Sequence, residues 1–205
     1  NTNLGTLIEQ AITGVVAIGE RLSVSSGNFT ASPDPTFSYQ WQKCSSTQVT
    51  SCVVISGATG NDFLITEDLL SSYIRVMVTA SNSLGVRGTP SSLTNAVINP
   101  SLPTNTMAPT ISGLPIDRQT LTLTSGTWSG VPTPTTASQW QVCTDAAGAN
   151  CSDIANATTS TLKLTFADLG KYFRAKVTAT NRIGAVSANT NILGPVTAAT
   201  KLERA

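Results

Sequence analysis

The chain predicts an all-β protein built from two tandem antiparallel β-sandwiches. Three observations carry this. The sequence lands on itself when shifted by 99 positions, with no insertion or deletion. Its longest apolar segments alternate with period two. Each copy also holds a tryptophan three residues before a Cys-x7-Cys pair, as Trp41 with Cys44 and Cys52, and Trp140 with Cys143 and Cys151.

The repeat is dense. Ile12-Thr-Gly14 falls on Ile111-Ser-Gly113, Leu22 on Leu121, Gly27 on Gly126, and Phe29 on Trp128. Gln40-Trp41-Gln42 falls on Gln139-Trp140-Gln141, Tyr73 and Arg75 on Tyr172 and Arg174, and Val78-Thr-Ala80 on Val177-Thr-Ala179. Asn82 and Gly85 fall on Asn181 and Gly184. Self-similarity at a fixed period marks a duplicated structural unit. The expected organisation is an N-terminal segment 1–10, a first domain 11–98, a linker 99–108, a second domain 109–197 and a C-terminal tail 198–205. The linker carries Pro100 and Pro103 and runs up to Pro109, so it reads as a semi-rigid spacer.

Within each copy the strand signals recur. Arg21–Val24 and Thr120–Leu123 alternate, as do 74–80 and 173–179. On the last pair, Ile74, Val76, Val78 and Ala80 share one face, and Phe173, Ala175, Val177 and Ala179 share its counterpart. Arg75, Arg174 and Lys176 are then expected to face solvent. No segment of ten or more residues has helical period. Phe166–Gly170 is expected to form a single turn ahead of a strand, with Asp168 as its cap.

Composition narrows the function classes. Charged residues make up only 11% of the chain and the net charge is +1, so no electrostatic footprint for nucleic acid or an anionic membrane exists. No apolar run has the length of a spanning helix, so no membrane insertion is expected. Histidine is absent, which removes Ser-His and Cys-His catalysis and histidine-ligated metals. The eleven carboxylates form no acidic pair common to both copies, and no phosphate loop or nucleophile elbow is present. The expectation is a non-enzymatic protein with no cofactor and no metal.

The motifs Ile111-Ser-Gly113, Gly126-Thr-Trp128, Gln139-Trp140-Gln141-x-Cys143, Cys151 and Ala167-Asp-Leu-Gly-Lys-Tyr172-x-Arg174, with Val177-Thr-Ala179-x-Asn181-x-x-Gly184, resemble tandem immunoglobulin-like repeats of bacterial surface and phage structural proteins. The resemblance covers nearly all of both copies. It implies an immunoglobulin-like sandwich with Trp41 and Trp140 in the core on the third strand, and core tyrosines Tyr73 and Tyr172 near the start of the sixth. It implies an extracellular structural or adhesive role and no chemistry. The first copy departs from the pattern with Leu69 and Ser71 where Asp168 and Gly170 stand, so its corner before Tyr73 is expected to differ. The second copy has Arg118 at the Gly19 position.

Four readings of the cysteines compete. A structural zinc needs four ligands, and each copy offers two cysteines and no histidine. A redox site favours Cys-x-x-Cys. The usual inter-sheet bridge of this fold would need a cysteine where Arg75 and Arg174 stand. The favoured reading is a local staple, Cys44 to Cys52 and Cys143 to Cys151. With Trp41 inward, Cys44 points outward by strand alternation. An even cysteine number fits an oxidising, extracellular compartment.

Three roles follow. The first is a structural or adhesive module of a surface protein, partnered by other surface proteins. The second is a self-associating filament or sheath subunit, with Leu4, Leu7 and Ile8 of the N-terminal segment on a donated strand. The weakest is a glycan-binding module, since aromatics are only 5% of the chain and mostly assigned to the core.

Overall fold

The computed structural model describes residues 10–27 and 31–200. The chain divides into two compact units that meet between Pro100 and Ser101. Each is an immunoglobulin-like antiparallel sandwich.

In the first unit, β1 (Ile12–Thr13), β2 (Arg21–Val24) and β5 (Asp62–Leu64) form one sheet in the order β1-β2-β5. The facing sheet has the order β4-β3-β6-β7, from β3 (Thr36–Cys44), β4 (Cys52–Val54), β6 (Tyr73–Asn82) and β7 (Gly85–Pro90). The chain leaves the second sheet after β4, contributes β5 to the first, and returns to place β6 beside β3. The long β3–β6 ladder sets Trp41 opposite Val76 and Cys44 opposite Tyr73. In the second unit, β9 (Thr110–Ser112), β10 (Thr120–Thr124) and β14 (Thr161–Lys163) form the small sheet. The large one has the order β13-β12-β15-β16, from β12 (Thr135–Cys143), β13 (Cys151–Asp153), β15 (Tyr172–Asn181) and β16 (Gly184–Asn189). Trp140 sits opposite Ala175 and Cys143 opposite Tyr172, the same register displaced by the repeat.

Period-two alternation is realised in the packing. Ile74, Val76, Val78 and Ala80 are all fully buried, as are Ala175, Val177 and Ala179, with Phe173 nearly so. Trp41 and Trp140 have no exposed surface and are the largest side chains of the two cores. Trp41 stacks on Phe63 with ring centroids 5.3 Å apart. Each such aromatic removes some 150–250 Å² of surface from water. Tyr73 and Tyr172 differ from the expectation of core residues. Both are half-buried. Alternation puts Tyr73 on the face of Arg75, away from the sandwich interior, and it is Ile74 and Phe173 that point inward.

Both ends of the predicted boundaries shift. The expected linker 99–108 holds a strand, β8 (Ser101–Met107), which pairs antiparallel with β11 (Thr127–Val131). Pro103 is buried in it, so the prolines that suggested a spacer are tolerated at a sheet edge, where no ladder bond is lost. Of the expected tail, Ala199 is buried, and its N–H donates to the carboxylate of Asp117, itself buried. Thr197 bridges in parallel to Ile116, as Ile98 does to Ala17 in the first unit.

The corner before β6 is built alike in both copies despite the sequence difference. Single 3-10 turns span Glu67–Leu69 and Phe166–Asp168. Asp168 closes a capping box, accepting from the N–H and hydroxyl of Thr165 at 2.9 and 2.7 Å. In the first copy the acid sits one residue earlier, and the Thr66 hydroxyl donates to Asp68 at 2.5 Å. Ser71 then adopts φ 65°, the left-handed conformation that Gly170 takes at φ 78°. The converse holds at the other departure, where Arg118 at φ 69° stands for Gly19 at φ 78°. A side chain in this region costs roughly 1 kcal/mol. Ser71→Gly and Arg118→Gly are therefore each expected to stabilise their own domain, by up to about 0.5 kcal/mol after the extra unfolded-state entropy of glycine is subtracted. Denaturant melts of each variant check this; a loss of stability at both would show the strain is absent.

Candidate functional site

The feature that organises each domain's surface is the stapled hairpin on the outer edge of the large sheet. Cys44 and Cys52 are directly opposed on β3 and β4 and form a disulfide; Cys143 and Cys151 do the same on β12 and β13. Cys44 was expected to point outward. It does lie on the face opposite Trp41, yet it has no exposed surface, because Cys52 and Tyr73 flank it on both neighbouring strands. No free cysteine is present.

The sequence marks the glutamines around each tryptophan as recurrent without giving them a role, and the structure supplies one. The Gln40 side-chain amide donates to the carbonyls of Trp41, Ile55 and Ala58 at 3.1, 2.9 and 3.3 Å. Gln139 repeats this on Trp140, Ile154 and Ala157 at 2.9, 2.7 and 3.4 Å. The tryptophan N–H groups donate to Gly60 O at 2.9 Å and Thr159 O at 2.8 Å. On the other face, Gln42 and Gln141 accept from the Nε of Arg75 and Arg174 at 2.6 and 2.7 Å. The loop after each hairpin is thus pinned from two side chains, the tryptophan and the glutamine ahead of it. The signal for it was the exact recurrence of Gln-Trp-Gln in both copies.

The outer surfaces diverge where the interiors agree. In the first domain the hairpin exposes Val49, Val53 and Val54 at 61%, 56% and 57%. The matching positions in the second are Gly148, Ser152 and Asp153. Val53 and Val54 are neighbours on β4 and so project from opposite faces of a short edge strand, and exposed apolar side chains on such an edge are a surface that another chain can cover. The second hairpin is polar instead: Gly148 N donates to Asp145 at 2.8 Å, and Gln141 donates to Asp153 at 2.8 Å.

The titratable groups serve structure. The carboxyl of Asp68 is held below its ordinary value of 3.8, first by the Thr66 hydroxyl and also by Lys43, whose Nζ is 3.7 Å away. Asp168 pairs with Lys171 at 3.5 Å. Among the described residues no three His, Cys, Asp or Glu side chains gather into a metal-binding group, and no helix is long and apolar enough to cross a membrane. Leu4, Leu7 and Ile8, expected on an assembly strand, lie outside the described residues. Trp128 is half-buried against the second core, with its N–H donating to Ser125 O at 3.0 Å.

No family model matches the chain, and no curated protein matches it. Among solved structures it is similar to a chimeric titin Z1Z2 functionalised with a KLER exogenous peptide from decorin, at 12% identity and a TM-score of 0.37, over 98% of this chain and 100% of that one. It is also similar to Sidekick-1 immunoglobulin domains 1–5, at 17% identity and a TM-score of 0.39, over 94% of this chain and 40% of that one. A third is the extracellular domains 3–5 of Drosophila OTK, at 13% identity and a TM-score of 0.32, over 95% of this chain and 63% of that one. The chain thus spans less than two thirds of the last two. The sandwich assignment stands on the sheets and registers of the chain itself.

Closing a loop of this length removes about 2.5 kcal/mol of unfolded-chain entropy. Reducing the disulfides is expected to lower each domain's stability by roughly that amount, read as separate shifts in a denaturant melt. Unchanged midpoints would mean that neither bridge constrains the unfolded chain. A second outcome concerns acid. Because the folded pKa of Asp68 is depressed, its contribution is present above the ordinary carboxylate value and lost as pH falls through the folded one. Asp68→Asn should therefore weaken the first domain at neutral pH, and the difference from the unaltered chain should shrink as pH falls below the ordinary carboxylate value.

Proposed function

We propose that this chain is a non-enzymatic structural and adhesive module of an extracellular surface protein of bacterial type. The observation that carries the reading is the contrast between the copies. The buried tryptophan, its glutamine clamps, the staple and the apolar face of the sixth strand recur position for position, while the exposed hairpin residues do not. A scaffold duplicated for extension keeps its interior and varies its surface. Both disulfides fit an oxidising compartment. The valine-bearing edge strand of the first hairpin is the edge we assign to contact with another protein. The bacterial setting is supported by the resemblance of the repeat motifs.

Two measurements test this. Negative-stain images with a solution mass should show isolated single copies; regular fibres would replace the module with a filament subunit. Pulled from its ends as a single molecule, the chain should give two unfolding events of similar length. Each disulfide hides a sequence separation of 8 and itself spans 3.9 or 4.0 Å between Cα atoms, so reduction should lengthen each event by about 23 Å. One merged event, or no lengthening, would show that the domains do not resist force as separate stapled units.

A further inference from the structure

The small sheet of the second domain ends at β9, whose outer edge is closed by one side chain. The Asn191 side-chain carbonyl accepts from the Ile111 N–H at 2.8 Å, and its amide donates to Ile111 O at 3.0 Å. The carboxamide pairs with that backbone as the peptide groups of a further strand would.

The first domain has the same edge and lacks this cover. The gapless repeat puts Ile12 at the Ile111 position, Ser92 at the Asn191 position and Gln10 at the Pro109 position. The register agrees, with Ile12 opposite Val24 and Ile111 opposite Leu123. Where the asparagine is missing, a cavity of about 330 Å³ is lined by Gln10, Ala11, Ile12, Ser92, Leu93 and Thr94. Its size is that of a small-ligand site. Gln10 is 1% exposed, and neither its Nε2 nor its Oε1 has a hydrogen-bond partner. Pro109 is buried as well, so burial at this position belongs to the fold, and the first domain alone places a polar group there. A buried amide with both atoms unpaired is destabilising, and the proline of the other copy fills the position without that cost.

We infer that this cavity binds a primary carboxamide, the side chain of an asparagine or glutamine on a partner peptide. A primary carboxamide offers two N–H donors and two acceptor lone pairs. One of each pairs with the Ile12 backbone, as Asn191 pairs with Ile111. The remaining N–H goes to Gln10 Oε1, and the remaining lone pair accepts from Gln10 Nε2. Both orphaned atoms are thereby satisfied. A main-chain peptide group carries a single N–H and cannot serve Ile12 and Gln10 together. The site lies on the sheet opposite the valine-bearing strand and does not depend on the adhesive reading.

The test titrates the full chain, labelled with nitrogen-15, with N-acetyl-asparagine methylamide. The Gln10 side-chain and Ile12 backbone resonances should shift together and saturate, with a Kd on the order of 1 mM for a ligand of this size. N-acetyl-alanine methylamide keeps the peptide groups without the side-chain amide and should bind roughly tenfold more weakly or worse. Gln10→Leu should abolish binding and leave the first domain at least as stable. Ser92→Asn, which installs the clamp of the second domain, should abolish it too. The absence of a saturable shift overturns the inference and leaves the cavity to water. Equal binding of the alanine compound overturns it in favour of a main-chain ligand. Binding that survives either variant also overturns it, because the amide is then held elsewhere.

Discussion

Burial of one tryptophan per domain is the constraint on which the rest of each sandwich depends. Trp41 and Trp140 lie on the central strand pair of the large sheet, wholly out of water. An indole cannot be buried without a partner for its N–H. That partner is a loop carbonyl, at Gly60 and Thr159, and the flanking glutamine holds the same loop by two more carbonyls, Ile55 and Ala58 in the first copy and Ile154 and Ala157 in the second. One residue's desolvation thus dictates where the chain after the hairpin must run. The disulfide closes the hairpin just beyond it, and the fifth strand is delivered to the opposite sheet.

The two copies act as internal controls on one another. Where one uses glycine for a left-handed residue, the other uses Ser71 or Arg118, and the backbone keeps the conformation. The surrounding hydrogen bonds explain this: Ser71 N and Gly170 N both donate to the carbonyl of the closing segment, Val97 O and Val196 O, at 2.9 Å. Tertiary bonds override a local preference worth about a kilocalorie. The cap before the sixth strand behaves likewise, with Asp68 and Asp168 reaching equivalent threonines from adjacent positions.

This economy shapes the surface. Since the interior and its polar clamps absorb the recurring residues, the variable ones are left on hairpins, edges and turns. The valine-bearing hairpin of the first domain and the polar one of the second sit on the same scaffold with different chemistry. A repeated module can in this way offer distinct contacts at constant architecture.

The sequence by itself determined the duplication, the strand periods, the buried face of the sixth strand and the pairing of neighbouring cysteines. These are local or repeat properties, visible because alternation and exact recurrence need no knowledge of distant contacts. Only the tertiary structure decided the rest. Tyr73 and Tyr172 stand outside the core face yet are half-buried, because Cys44 and Cys143 stand opposite them on the neighbouring strand. Cys44 is buried although it faces away from the core, because neighbouring strands cover it. The proline-bearing stretch after Pro100 is a strand because β11, some 25 residues on, offers an edge that needs no donor from Pro103. Each of these depends on which surface a distant segment presents, and that information exists only once the chain is folded.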